Sequence, residues 1–323
     1  MSLPPLRFHP LIKRRRWGGR RLGSELHKPI GSGNDYAESW ELCDRGADQS
    51  LVANGPWIGW TLGELVRQCG PELLGRHAGL REFPLLLKFL DASDRLSVQV
   101  HPTDQEAART HPGERGKTEA WVVMEAAQGS CVYAGLSPGV SPQQLREGLH
   151  PGTMEDCLHK VHVVRGDCLF IPAGTVHAIG AGVLVAEIQQ SSDLTYRLYD
   201  WGWLDSDGQP RQLHIEQGLA CVDFSRGPVA PSLPRVVKDE RGHRVEELVH
   251  CPYFTLRRHV LQGSLRWPDD QRCHLLMGVA GEARVGPAAE LLRRGDTLLI
   301  PAAALPCPIE GDGPAEFLET DWE

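Results

Sequence analysis

The chain has 323 residues, of which 41% are hydrophobic and 24% charged, and a formal net charge of −8. That length allows one to three domains and a core large enough to need no disulfide staples. The acidic balance argues against nucleic acid as the main partner, while leaving room for a local basic pocket around an anionic ligand.

No apolar run approaches the roughly 18 residues of a membrane span, so no membrane partner is expected. The opening MSLPPLRFHPLIKRRRW lacks the apolar core of a signal peptide. Its KRRR run (13–16) reads as a solvated N-terminal arm. The nine cysteines are odd in number, irregularly spaced and without a CxxC. They form neither a disulfide framework nor a thiolate zinc site, and reduced thiols in a cytoplasmic protein are expected.

Thirty-five Gly and 24 Pro punctuate short apolar runs, the texture of a turn-rich β protein. In chain order, ESWELC (38–43) reads as a strand. TLGELVRQCG reads as a helix with Thr61 and Glu64 as a capping box. LSVQV (96–100) is a strand, and PTDQEAART a helix capped by Thr103 and Glu106. Strands AWVVME (120–125) and CVYAGL (131–136) follow. SPQQLREGL is a helix with Ser141, Pro142 and Gln144 in capping positions. Strands are then expected at 162–172, 182–190 and 195–200, and a weaker helix at 214–224. GPVAPSLPRVVKDERG (227–242) is rich in Pro and charge, as a linker would be. Strands are expected beyond it at 254–261, 273–280, 289–301 and 315–322.

Two of these stretches repeat. RGDCLFIPAGTVH (165–177) and RGDTLLIPAAALP (294–306) share seven of thirteen positions, with Pro306 where His177 would be. A Gly turn, a short apolar strand and a Pro-Ala stop used twice imply two copies of one β-barrel unit. The expected division is 1–226 for an N-terminal catalytic unit with helical additions, 227–244 for a linker, and 245–323 for a C-terminal barrel without a metal site.

The first copy carries the chemistry. Gly166, Pro172, Gly174 and His177 have the spacing G-x5-P-x-G-x2-H, which resembles the second signature of the cupin superfamily. Gly174 permits a positive-φ bend that turns His177 inward. On a strand, Gln99 and His101 of LSVQVHP face one side, and GKTEAW adds Glu119. Two imidazoles, one carboxylate and an amide oxygen compose an open catalytic metal site. The same donors also suit an iron oxygenase or a non-catalytic metal-binding sugar-phosphate sensor.

Longer motifs narrow the choice. LLLKFLDASDRLSVQVHPTD (85–104), GKTEAW (116–121), RGDCLFIPAGTVHAIGAGVLVAEIQQSSDLTYRLYDWGW (165–203), RRWGGRRL (15–22) and ESWEL (38–42) together resemble the short bacterial form of type I mannose-6-phosphate isomerase. The resemblance implies a mainly β chain of two cupin-type jelly-roll barrels with a few added helices. It implies one Zn2+ per chain on His101, Glu119 and His177, with Gln99 as a fourth ligand. It implies a phosphorylated hexose as substrate, mannose 6-phosphate and fructose 6-phosphate being interconverted through an enediolate. Ser97, Lys88 and Lys117 are the expected substrate-binding residues, and Arg197, Asp200 and Lys117 the expected catalytic ones. Asp200, Glu187 and a zinc-bound water are alternatives for the base. A monomer or homodimer is expected.

Overall fold

The computed structural model describes residues 3–204 and 208–323. Strands dominate it, as expected. All three capping boxes form: Thr61, Thr103 and Ser141 each accept from the backbone N–H three residues on, and Glu64, Glu106 and Gln144 reach back. They start the helices Leu62–Gln68, Asp104–Thr110 and Pro142–Glu147. The fourth expected helix, Ile215–Cys221, has no side-chain cap.

The N-terminal half is a sandwich of two open sheets. One has six strands in the order Cys168–Ile171, Glu119–Ala126, Val183–Gln190, Leu85–Ala92, Tyr36–Leu42 and Leu11–Gly19. The other has five, in the order Leu158–His162, Cys131–Leu136, His177–Ile179, Val98–Val100 and Tyr196–Tyr199. Closed barrels were expected, and this part of the expectation is corrected. Among the described residues no ladder of hydrogen bonds runs right round; instead Leu90, Trp121 and Val185 of one sheet meet Val132, Ala134 and Ile179 of the other across a shared core. Facing sheets held by interdigitating side chains are the alternative to closure.

KRRR is not a free arm. It lies in the edge strand Leu11–Gly19, where charge blunts an exposed edge. Lys13 pairs with Asp48, Arg14 with Asp35, Arg15 with Glu38 and Arg16 with Asp94.

The C-terminal sheet runs Arg235–Glu240, His243–His250, Thr255–Trp267, Cys307–Asp321, His274–Ala280 and Thr297–Ile300, and then takes in Leu6–His9 and Leu51–Val52 from the other end of the chain. Leu6 sits opposite Leu299. The segment expected to be a linker thus carries a strand, Arg235–Glu240, paired with His243–His250. In both halves the strand after the RGD turn neighbours the strand holding Glu119 or His274.

The outer face of the six-stranded sheet packs on the C-terminal sheet. Leu87, Phe89, Val122 and Ile188 share one core with Leu256, Leu275 and Leu318. Leu85–Ala92 is therefore buried along its whole length. A strand covered on both faces shows no alternation in sequence, and LLLKFLDA shows none.

Candidate active site

His101, Glu119 and His177 converge as the sequence implied. Their ligating atoms all lie within 4.8 Å of one another, and all three residues are buried. Glu119 opens its strand opposite Ile171. His177 opens the return strand opposite Gln99. The bend that aims His177 is made at Gly174, with φ of 85°. A Cβ there would come within 3.0 Å of Asp223 Cβ.

The hydrogen bonds fix which ring nitrogens are available. His101 Nδ1 lies 3.1 Å from the Leu194 carbonyl and His177 Nδ1 2.9 Å from the Thr175 carbonyl. A carbonyl only accepts, so both Nδ1 atoms carry hydrogen and both Nε2 atoms present lone pairs. Those Nε2 atoms are 3.4 Å and 3.3 Å from the Glu119 carboxylate. Both Nε2 atoms are buried and without hydrogen-bond partners. Two orphaned lone pairs aimed at one carboxylate are costly unless something binds between them. Backbone-anchored imidazoles are also how metal-ligating histidines are usually oriented. The residues fit a divalent metal.

The electrostatics agree. Burial, then the nearby Lys117 ammonium, pushes His101 down to about 3. Burial likewise lowers His177. Both imidazoles are neutral, as metal ligands must be. Burial alone would raise Glu119, but Lys117, 3.0 Å from Oε2, and the imidazoles hold it well below the usual carboxylate range.

Beside the triad lies a cavity of about 270 Å³. Gln99, Lys117, Ser97, Lys88 and Arg197 all line it. Lys117 is no surface turn residue; it is 5% exposed. Lys88 is also buried, 3.2 Å from Glu187 and 3.7 Å from Glu38. Burial would lower its pKa, but those two carboxylates raise it. Glu187 is pushed up, by burial first, against the pull of Lys88. Its Oε1 accepts from Trp121 Nε1 at 3.1 Å, while Oε2 is the oxygen paired with Lys88. Arg197 Nε donates to Ser97 Oγ at 3.3 Å.

Asp200 is not brought into this cavity. Arg211 Nε and Nη2 donate to its two oxygens at 2.7 and 2.5 Å, and the guanidinium, not the carboxylate, lines the cavity. Three residues apart, Arg197 and Asp200 would face opposite sides of a regular strand, and the register shifts between Arg197 and Tyr199. Arg15, Glu38 and Arg211 also line the cavity and were not expected there. Arg15 had a signal: Arg15 and Trp17 are two apart on one strand, and both face the cavity. The lining as a whole holds five cations, Arg15, Lys88, Lys117, Arg197 and Arg211, against three carboxylates, Glu38, Glu187 and Asp193.

Comparison with known proteins places this site in a lineage. Residues 6–134 match the family model "Phosphomannose isomerase type I, catalytic domain". The chain is 36% identical over 310 residues to a mannose-6-phosphate isomerase of Streptococcus mutans, covering 95% of this chain and 96% of that one. It is 35% identical over 317 residues to mannose-6-phosphate isomerase ManA of Bacillus subtilis, covering 96% and 97%. A crystal structure of the mannose 6-phosphate isomerase from Bacillus subtilis superposes with a TM-score of 0.90 at 29% identity, covering 99% of this chain and 100% of that one. With its motifs, its fold and its relatives in agreement, the chain belongs to the type I mannose-6-phosphate isomerase family.

Proposed function

We propose that the protein interconverts mannose 6-phosphate and fructose 6-phosphate with one zinc ion on His101, Glu119 and His177. The observation that carries this reading is the convergence of two lone-pair Nε2 atoms and an ionised carboxylate beside a cation-rich cavity. Two imidazoles and one carboxylate with a position left open are a catalytic zinc donor set. Gln99, opposite His177 and lining the cavity, would offer its amide oxygen as a fourth ligand. The bound ion supplies electrophilic polarisation of the sugar's C1 and C2 oxygens.

The protein's own groups do the rest. The cation excess of two in the lining suits a phosphomonoester dianion. Arg197 and Arg211, with the Ser97 hydroxyl, hold the phosphate by charge-assisted hydrogen bonds. Lys117, touching Glu119, stands where negative charge grows on the sugar oxygens and stabilises the enediolate. Glu187 is the base. It lines the cavity, and burial raises its proton affinity. It takes the C2 proton of the open-chain aldose and returns a proton to C1, while the hydroxyl proton passes from O2 to O1. Lys88 stays cationic and holds the Glu187 carboxylate in place.

A coupled assay with mannose 6-phosphate, run with and without chelator, tests the reading. Turnover that chelation abolishes and zinc restores is expected. Full turnover by a sample shown metal-free by elemental analysis would overturn it.

A further inference from the structure

The C-terminal sheet lost the histidine of its repeat, yet it kept a cavity, of about 390 Å³. The register shows that this cavity is the counterpart of the active site. Ile171 faces Glu119, and its repeat partner Ile300 faces His274. Glu187 faces Lys88, and Glu319 faces Arg257. The Lys88–Glu187 pair at 3.2 Å thus reappears as Arg257–Glu319 at 2.9 Å. Gln99 faces His177, and extending the Trp267–Cys307 register by one pair sets Pro268 opposite Pro306. By the same count Arg266 stands where Ser97 stands, and Asp270 where His101 stands.

Metal chemistry has gone from this site. Asp270, His274 and Asp321 lie close enough together to suggest an ion. Both nitrogens of His274 are occupied, however: Nδ1 by Glu319 at 2.8 Å and Nε2 by Asp270 at 3.1 Å. An imidazole hydrogen-bonded to two carboxylates is a protonated ring with no lone pair to give. This is the opposite of His101 and His177.

Anion chemistry has stayed. The wall holds Lys238, Arg257, Arg266, Arg272 and the His274 imidazolium against Asp270, Glu319 and Asp321. The excess is two positive charges, as in the first cavity. His259 is 4% exposed and lines the wall. Its Nδ1 is engaged by His243 at 3.0 Å, and its Nε2 is buried without a hydrogen-bond partner, Glu319 being 3.8 Å away. Trp267 and Leu265 give the same wall an apolar part.

We infer that the C-terminal sheet carries a second, metal-free binding site for a sugar phosphomonoester, the phosphate meeting Arg266 and Arg272 and the carbon skeleton resting against Trp267. The site takes its ligand without reaction, because His274, standing where Glu119 stands, has no lone pair with which to hold a metal electrophile. Its existence does not depend on the isomerase reading.

Equilibrium dialysis with radiolabelled mannose 6-phosphate tests it, since the label is counted in aldose and ketose alike. The wild-type holoenzyme is expected to bind two equivalents, and R266E one. Arg266 is exposed, so the variant keeps its fold, and unchanged isomerase turnover checks this. Excess inorganic phosphate should displace the second equivalent only at higher concentration than mannose 6-phosphate, and mannose should not displace it. One equivalent in the wild type, unaltered in R266E, would overturn the inference. Displacement by inorganic phosphate at equal concentration would overturn its sugar half, and displacement by mannose its phosphate half. An equivalent lost in R266E from a protein without isomerase activity would leave this site standing and sink the first reading alone.

Discussion

Lys117 Nζ lies 3.0 Å from Glu119 Oε2, the carboxylate that also faces both imidazoles. One ammonium therefore keeps Glu119 ionised and helps keep His101 neutral, from a position lining the cavity. Lys117→Ala should cut turnover by about 10²–10³-fold, the usual cost of losing one oxyanion donor, while zinc content stays at one equivalent. Steady-state kinetics with elemental analysis checks this. Unaltered kinetics would leave the ammonium with no part in the reaction.

His177 contributes one of the two orphaned Nε2 atoms. His177→Ala should weaken metal binding by more than the roughly 10–100-fold that losing a supporting hydrogen bond typically costs. Competition with a chelating dye measures it. Wild-type affinity would remove His177 from the ligand set.

Glu187 and Asp200 are separated by their surroundings. Glu187→Gln should slow exchange of substrate carbon-bound hydrogen with D2O by about 10²–10⁴-fold. Asp200→Asn should leave exchange per folded molecule nearly intact and lower stability, because it unpairs the buried side of a bidentate Arg211 contact. NMR of deuterium wash-in, with a denaturant melt of each variant, distinguishes them. The reverse pattern would move the base to Asp200.

His274 makes stability depend on pH. Burial lowers its proton affinity, but Asp270 and Glu319 more than reverse this and raise it to about 9. A histidine whose folded value exceeds its unfolded 6.5 stabilises fully below pH 6.5, and the stabilisation is lost as pH rises through 9. A fall of a few kcal/mol over that window is expected, because each tenfold difference in proton affinity is worth about 1.4 kcal/mol. Urea melts of wild type and His274→Gln between about pH 6.5 and 9.5 check it, the variant showing a flatter profile. Equal slopes would refute the assignment.

The convergence of His101, Glu119 and His177 was readable because the residues sit in motifs with their own mechanical reasons, such as the Gly174 bend that aims His177. The helices were readable from their caps. Arg15 was missed because four consecutive basic residues look solvated until Asp35, Glu38, Asp48 and Asp94, distant in sequence, are seen to meet them. Asp200 was expected in the cavity from the TYRLYD motif alone, and its pairing with Arg211 has no signature in that motif. The second cavity was missed because its carboxylates, Asp270, Glu319 and Asp321, come from outside the repeated motif, and only pairing register brings them together with His274.

Leu6, fully buried, faces Leu299 across the seam between the first strand of the fold and Thr297–Ile300. Leu6→Ala should cost about 2–5 kcal/mol, readable by denaturant titration, and a loss within about 0.5 kcal/mol would show the seam to be ornamental.

That seam also governs how the protein can be divided. Cut at the middle of the chain, the C-terminal piece would show the bare margin of Thr297–Ile300, an open invitation to other molecules of its kind. Any shuffling of the C-terminal half between relatives must therefore carry the opening residues along with it.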